Sequence, residues 1–336
     1  MPGRHRWEER DTVFSDVVPD PPMDKVVEGV KAVLSTKPEC IVAVGGGSAM
    51  DSAKAIREFA SRIISGYSPY LIAIPTTSGT GSEVTSFAVI SDNVKKEKLP
   101  LVAPSLTPEE AILDEVLVKS VPADITADTG MDVFTHALEA YVSLDNNEFS
   151  AALAEKAIEI IGMFLLRSYL DNNDVHARRK MHVASCLAGL AFNSANLGLN
   201  HGMAHQLGAN FHVPHGRANA ILLPHIIRFN SDIDVHSKSK TEYLPAVRKY
   251  CTAARTLGVQ AFNEVNTVNT LCMWVEFMMK EMNIPLRLSE MLSISKEEYF
   301  AQIPQMAKKA LADGCTKTNP RTPTLHDIEE IYKNLW

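Results

Sequence analysis

The sequence has 336 residues, enough for two hydrophobic cores, and its 46% hydrophobic and 22% charged residues are typical of a globular protein. A formal net charge of −7 argues against a nucleic-acid or anionic-membrane partner, because both require a concentrated positive surface. No apolar run approaches the length of about 20 residues that spans a bilayer, and the charged start MPGRHRWEERD lacks the apolar segment of a secretory signal.

The first third of the chain alternates amphipathic segments with short apolar runs. Residues 23–34 and 51–64 have the apolar spacing of helices. Four apolar runs predict buried strands: residues 40–44, 70–74, 86–91 and 111–113. This alternation predicts βαβ units, and therefore a mostly parallel sheet covered by helices.

From about Ala123 onward, helical periodicity replaces the alternating pattern, and strand-like runs become rare. Six segments have helical spacing: residues 127–142, 150–166, 177–198, 241–257, 268–282 and 296–313. We therefore predict a domain boundary near Val121-Pro122, with an α/β domain over residues 1–122 and a nearly all-helical domain over residues 123–336.

Two loops follow predicted strands and have compositions suited to phosphate binding. Residues 45–48, with the sequence GGGS, lead into a helix whose amide groups and dipole favour an anion. Residues 75–83, with the sequence PTTSGTGSE, contain five hydroxyl side chains and two glycines. A tight strand-to-helix turn would explain the first loop almost as well, and helix capping by Thr80 or Ser82 would explain the second. Together, the two loops favour a dinucleotide ligand.

Aspartate and histidine side chains in the helical region have the spacing of metal ligands. Asp132 and His136 are four residues apart, so on one helix they share a face. Four of the 11 histidines lie within fifteen residues: His201, His205, His212 and His215. The small residues among them, which allow close approach, are Gly198, Gly202, Ala204 and Gly208.

Each of these patterns alone has an ordinary explanation. Asp132 and His136 could lie on a solvated helix face, and His201 and His205 could be a polar pair at a helix end. His215 could be a loop histidine. In combination they predict a divalent transition metal, held by two helices and a following bend through Asp132, His136, His201 and His215. A metal beside a phosphate-binding loop indicates metal-assisted hydride transfer.

Four stretches that carry these residues resemble the iron-containing alcohol dehydrogenases: GGGSAMDSAKAI, PTTSGTGSEVTSFAVISD, ITADTGMDVFTHALEAYVS and GLNHGMAHQLGANFHVPHG. They look nearest to the 1-propanol dehydrogenases of bacterial propanediol breakdown, and the likeness runs from about Val13 to the C-terminus. The resemblance implies a Rossmann-like domain over residues 1–122, an all-α C-terminal domain over residues 123–336, and a dehydroquinate synthase-like architecture.

The resemblance also implies roles for individual residues. Fe²⁺ would be held by Asp132, His136, His201 and His215. The dinucleotide would be bound by Gly46, Gly47, Ser48, Thr76, Thr77, Thr80 and Lys98, of which Lys98 matches a lysine that reaches the cofactor ribose. His205 matches a histidine beside the nicotinamide and the substrate, and we expect it to be the catalytic proton relay. The alternative is that His205 only packs in its helix.

The activity implied by the resemblance is that of an iron-dependent, NAD-linked alcohol dehydrogenase acting on small primary alcohols and aldehydes, such as 1-propanol and propanal. NADP and Zn²⁺ stay open, although four protein ligands would close a tetrahedral zinc site and favour Fe²⁺. The family implies a homodimer or larger assembly, and association with a bacterial microcompartment. Scattered cysteines without CxxC spacing predict reduced, buried thiols and a cytoplasmic protein: Cys40, Cys186, Cys251, Cys272 and Cys315.

One feature departs from the family pattern. The family opens with an additional βα unit whose acidic residue helps to select NAD over NADP, and the present chain has no counterpart of it. We therefore expect the central sheet to lack a strand and to expose an apolar edge. The alternatives are a zinc-type glycerol dehydrogenase, a dehydroquinate-synthase-like lyase, and a truncated, non-catalytic homologue that acts as an assembly partner. A metallohydrolase would leave both phosphate-binding loops without a function.

Overall fold

The structure, a computed structural model, describes residues 12–19, 21–92, 97–232 and 245–336. The chain divides into two compact units. One comprises Met1–Pro75 and Thr85–Ile112, and the other comprises Thr76–Val84 and Leu113–Trp336. The hydroxyl-rich loop therefore belongs to the second unit. The domain boundary at Val121-Pro122 stays a prediction.

The first unit alternates helices and strands in the predicted order. Its elements are α1 (Met23–Thr36), β1 (Cys40–Gly45), α2 (Gly47–Ile63), β2 (Tyr70–Pro75), β3 (Phe87–Asp92), β4 (Glu97–Val102) and β5 (Glu110–Ala111). Strands β1, β2 and β5 form a parallel sheet in that order, with Ile41 opposite Leu71 and Ile72 opposite Glu110.

Strands β3 and β4 form a separate antiparallel pair, with Phe87 opposite Val102, so the predicted strand over residues 86–91 does not belong to the parallel sheet. The sequence does not predict β4, because it follows a charged stretch and because Pro100 interrupts its apolar run. Lys95 and Lys96 of that stretch lie outside the described residues. Lys98, an expected cofactor residue, lies in β4 and is exposed.

One hydrophobic cluster of the first unit lies between α1, α2 and the antiparallel pair, and a second lies between α2 and strands β1 and β2. Val26 and Val30 of α1 pack with Ile56 of α2 and Ile90 of β3. Among the strands that the structure describes, β1 is the outermost of its sheet, and two of its valines are more than half exposed: Val42 and Val44.

The second unit is helical throughout its described residues, with short 3₁₀ turns and no strand. Its helices are α3 (Ala123–Val142), α4 (Glu148–Leu170), α5 (Val175–Ala195), α6 (Leu199–Phe211), α7 (His215–Asn230), α8 (Pro245–Thr256), α9 (Glu264–Glu281), α10 (Lys296–Ala312) and α11 (Leu325–Asn334). The segment predicted as one helix over residues 177–198 instead ends at Ala195, because Asn196 has a φ of 59° and turns the chain before α6. Among the described helices, none has the combined length and apolarity of a membrane span.

Helix α3 is buried on nearly every side, since it packs against α4, α5 and α7. Its polar face, with Asp132 and His136, is as inaccessible as its apolar face, with Phe134 and Leu138. The explanation of Asp132 and His136 as a solvated face is therefore wrong. Polar side chains enclosed in this way need partners in the protein or a bound ligand.

All five cysteines are free, as predicted. Cys251 and Cys272 are buried, and Cys186 and Cys315 are half-buried. Cys40 is exposed, which corrects the prediction that every thiol is buried, because it begins β1, a strand in which one residue alone is fully buried.

Candidate metal centre

The structure brings the four predicted ligands together within the second unit. Asp132 and His136 lie one turn apart on α3, His201 lies in the first turn of α6, and His215 is the first residue of α7. One donor atom from each side chain lies within 4.8 Å of all the others. His215 thus begins a helix, where the sequence predicts a bend.

The geometry of the group is centred on the Asp132 carboxylate. Its Oδ1 lies 3.9 Å from His136 Nε2, 3.7 Å from His201 Nε2 and 3.7 Å from His215 Nε2. The rings of His136 and His201 stack with centroids 4.7 Å apart. Asp132, His136 and His201 are buried, whereas the side chain of His215 is 43% exposed, so the group is reached from one side.

The pKa values of two ligands suit a cation. Burial alone would raise the pKa of Asp132, but the adjacent His136 and His215 imidazoles lower it well below its usual range, so the side chain is a carboxylate. Burial lowers the pKa of His136 to about 4 and keeps that ring neutral at neutral pH. An ionised oxygen and a neutral nitrogen with a lone pair are the states in which these side chains bind metals.

Glu139, a residue that the sequence does not predict for the site, holds His201. Its Oε2 is hydrogen-bonded to His201 Nδ1, and its Oε1 accepts a hydrogen bond of 2.8 Å from the Asn200 amide. Burial alone would lower the pKa of His201, but Glu139 and Asp132 outweigh it and raise the pKa to about 9. A carboxylate behind a ligating histidine fixes the ring orientation and strengthens the ligand. The sequence feature that could have indicated Glu139 is its position, three residues after His136 on the same helix.

Asn219 is a second partner that the sequence does not predict. Its Nδ2 donates to Asp132 Oδ1 at 2.7 Å and lies 3.1 Å from His201 Nε2 and 3.2 Å from His215 Nε2. Asn200 Nδ2 donates to its Oδ1 at 2.9 Å, which fixes the amide orientation. The site therefore has a fully buried hydrogen-bond donor among its ligand atoms. The sequence feature that could have indicated Asn219 is its four-residue spacing from His215.

Glycines let the helices of the site approach closely. A Cβ at Gly198 would lie 2.7 Å from Glu139 Oε1, one at Gly202 would overlap Thr316 Oγ1, and one at Gly216 would overlap the Asp128 carbonyl oxygen. The prediction of close approach holds at Gly198 and Gly202. At Gly208 the nearest atom would be 3.6 Å away, an ordinary contact, so that glycine is not required for packing.

His205 lies beside the four ligands but makes a different contact. Its ring centroid is 6.2 Å from that of His201 and 5.6 Å from that of His215. Its Nδ1 lies 2.9 Å from Asp313 Oδ2, and its side chain is 36% exposed. His205, Asp313 and Cys315 form a second group with donor atoms within 4.8 Å of one another. His205 therefore has a partner outside its own helix, and its role as a proton relay stays a prediction.

The GGGS loop has the predicted strand–turn–helix form. Gly45 ends β1 with a φ of 154°, where a Cβ would lie 2.6 Å from Ala49 Cβ. Gly46 precedes α2, and Gly47 and Ser48 begin it. A tight turn requires Gly45, while the amides of residues 46–48 stand at a helix N-terminus, where anions bind.

The hydroxyl-rich loop is fixed by contacts within the second unit. Ser78 Oγ lies 3.0 Å from Nδ1 of the buried His182, and the Ser82 amide donates to Thr80 Oγ1 at 3.3 Å. Gly81 has a φ of 62°, and a Cβ there would lie 2.7 Å from Gly189 Cα. Thr76 and Thr77 are half-buried and Thr80 is exposed.

Two family models match the chain. The model of iron-containing alcohol dehydrogenase matches residues 6–115, and the C-terminal model of the Fe-containing alcohol dehydrogenase family matches residues 126–336. The chain is 44% identical over 331 residues to 1-propanol dehydrogenase PduQ of Salmonella typhimurium, covering 98% of this chain and 86% of the relative. It is 38% identical over 338 residues to the NADPH-dependent butanol dehydrogenase of Clostridium saccharobutylicum, covering 96% and 83%.

Solved structures have the same fold. A 1,3-propanediol oxidoreductase superposes with a TM-score of 0.87 at 33% identity, covering 97% of this chain and 84% of that one. An alcohol dehydrogenase from Oenococcus oeni superposes with a TM-score of 0.87 at 30% identity, with the same coverage. These similarities confirm the dehydroquinate synthase-like architecture. The chain belongs to the iron-containing alcohol dehydrogenase family of oxidoreductases.

Proposed function

We propose that the protein is an iron-dependent alcohol dehydrogenase that interconverts small primary alcohols, such as 1-propanol, with their aldehydes. The observation that carries the proposal is the cluster of donor atoms from Asp132, His136, His201 and His215 within 4.8 Å of one another. The names of two relatives, a 1-propanol and a butanol dehydrogenase, support a short, unbranched substrate.

The donor set suits a divalent transition metal. Three imidazole nitrogens and one carboxylate oxygen favour iron or zinc over Mg²⁺ or Ca²⁺, which prefer oxygen ligands. Four protein ligands would close a tetrahedral zinc site, so a metal of higher coordination number such as Fe²⁺ fits better. When bound, the metal would supply a Lewis acid that lowers the pKa of the substrate hydroxyl, and the nicotinamide would supply the hydride acceptor or donor.

The remaining steps belong to side chains of the protein. His205 connects the buried ligands with solvent, and we assign it the relay of the substrate proton. The amides of Gly46, Gly47 and Ser48 are assigned to the pyrophosphate of the coenzyme. The proposed contacts to the rest of the coenzyme come from Thr76, Thr77, Thr80 and Lys98.

NAD is the proposed coenzyme, and NADP is the alternative, since one relative is named as NADPH-dependent. We propose a homodimer or larger assembly, in the cytoplasm or in a bacterial microcompartment, as the family resemblance implies. Analytical ultracentrifugation of the purified protein tests the assembly.

Propanal reduction by anaerobically purified, iron-loaded protein tests the proposed activity. We expect turnover with NADH, weaker or no turnover with NADPH, and loss of turnover in His201→Ala. His326→Ala, which removes an exposed histidine of α11, should match the wild type. Glycerol oxidation by the zinc-loaded protein without propanal reduction would favour the glycerol dehydrogenase alternative. No turnover and no NADH fluorescence change would favour the non-catalytic assembly partner.

A further inference from the structure

The contact between His205 and Asp313 joins two segments that are far apart in the sequence. His205 Nδ1 lies 2.9 Å from Asp313 Oδ2, and the two residues are 108 positions apart. The aspartate follows the last turn of α10, and its side chain is only 17% exposed. A carboxylate and an imidazole placed in this way form the same unit that orients catalytic histidines in hydrolases.

The Asp313 carboxylate is itself held in place. Its Oδ1 accepts a hydrogen bond of 2.9 Å from the Cys315 amide. Burial alone would raise the pKa of Asp313, but His205 and the Cys315 amide outweigh burial and lower it, so the group is ionised. An ionised carboxylate only accepts hydrogen bonds, and therefore Nδ1 of His205 carries the proton in this pair.

Helix α6, which carries His205, packs closely against the turn that carries Asp313. Gly202 lies three residues before His205 on α6, and a Cβ there would overlap Thr316 Oγ1 and lie 3.4 Å from Asp313 Cβ. Thr316 Oγ1 donates to the Ala310 carbonyl oxygen at 2.7 Å and closes the turn that carries Asp313. The pair is therefore supported from both sides.

We propose that Asp313 is a positioning residue that holds His205 in the Nδ1–H tautomer, so that Nε2 exchanges the substrate proton. This inference rests on the proposed function. In alcohol oxidation the hydride leaves to the coenzyme, and the hydroxyl proton passes to His205 Nε2 and from there to water. Asp313 remains ionised throughout and stabilises the transient imidazolium.

A metal ion is the competing occupant of the same side chains, since His205, Asp313 and Cys315 offer nitrogen, oxygen and sulfur ligands within 4.8 Å. The hydrogen bond of the Asp313–His205 pair needs no such ion. Elemental analysis of the metal-loaded protein separates the two. One ion per chain in wild type and Cys315→Ser supports the proposal, while a second ion that disappears in Cys315→Ser overturns it.

Kinetics of Asp313→Asn test the positioning role. We expect kcat for propanal reduction to fall about 10- to 100-fold, with KM changed less than about twofold and iron content unchanged. In the His205→Ala background the same substitution should cost nothing further, whereas a structural role would add its own loss. Acetate should restore part of the activity of Asp313→Ala. Asp174→Asn, which keeps a helix cap that asparagine fills equally well, serves as the matched control.

The tautomer of His205 can be measured by ¹⁵N NMR without an activity assay. This measurement therefore separates a failure of this inference from a failure of the proposed function. In ¹⁵N-histidine-labelled, metal-loaded protein, His205 should show a protonated Nδ1 and an unprotonated Nε2, and Asp313→Asn should mix the two tautomers. An inactive wild type with this signature would contradict the proposed function alone. An Nε2–H tautomer in the wild type, additive losses in the double variant, or wild-type kcat in Asp313→Asn would overturn the positioning role.

Discussion

Glu139 and His201 form a buried carboxylate–imidazole pair, in which Glu139 Oε2 is hydrogen-bonded to His201 Nδ1. The same carboxylate accepts a hydrogen bond from the Asn200 amide through Oε1, at the start of α6. Glu139 therefore performs two tasks: it completes the N-terminus of α6, and it directs His201 Nε2 towards the other ligands. Both tasks depend on Gly198, whose missing Cβ leaves room for the carboxylate.

Glu139→Gln should weaken metal binding about 10- to 100-fold, because the neutral amide no longer strengthens His201 as a ligand. Competition with a chromophoric chelator measures the affinity. Glu155→Gln, which changes a carboxylate bonded to Tyr141 away from the ligands, is the control. Equal metal affinities of Glu139→Gln and wild type would show that Glu139 stabilises the N-terminus of α6 and does not strengthen His201 as a ligand.

Metal affinity should rise with pH up to about 9, the pKa of His201 in the metal-free protein. Below that pH the ring holds a proton that the metal displaces, so affinity should increase about tenfold per unit and then level off. Calorimetry in buffers of different ionisation enthalpy counts the released proton. In Glu139→Gln the plateau should begin at lower pH, and no proton release at pH 7.5 would contradict this assignment.

Gly216→Ala should destabilise the protein by about 1–3 kcal/mol, the usual cost of overpacking. The added methyl group would overlap the Asp128 carbonyl oxygen and push α7, with His215, away from α3. Thermal denaturation of the metal-free form measures the loss of stability. The additional stability of the metal-loaded form measures how far the displacement of His215 weakens metal binding. Gly208→Ala is the matched control, since its Cβ has room and alanine favours the helix by about 1 kcal/mol. A melting temperature of Gly216→Ala equal to that of wild type would contradict the close approach.

Lys54→Met should destabilise the first unit. Lys54 is fully buried in α2, and its Nζ donates to the carbonyl oxygens of Thr85 and Phe87, both at 2.8 Å. Each buried acceptor left without a donor costs about 1–3 kcal/mol. Thermal denaturation measures the loss, and Lys31→Met on the exposed face of α1 should leave the melting temperature nearly unchanged. Equal stability of both variants would show that water replaces the Lys54 ammonium.

The spacing of Asp132 and His136 predicts part of the site, because residues four apart on a helix share a face whatever surrounds them. The histidine-rich stretch identifies His201, His205 and His215 through composition. Their partners are harder to predict. His201 and Glu139 are 62 positions apart, and a glutamate on a buried helix looks the same in the sequence as one on a solvated face.

Helices α6 and α7 illustrate the limit for the fold. Both are buried on most sides, and α6 in particular lacks the separate polar and apolar faces that mark a helix in a sequence. The antiparallel strand β4 is hidden by its charged start and by Pro100. In each case tertiary packing decides the structure, and local sequence preference is a weak guide.

The iron content of the purified protein tests the central claim most directly. After anaerobic loading and removal of free metal, elemental analysis should give one iron per wild-type chain and none in Asp132→Ala or His215→Ala, with circular dichroism unchanged. Iron retained at one per chain in Asp132→Ala, or absent from the folded wild type, would contradict the assignment of these four side chains as the metal ligands.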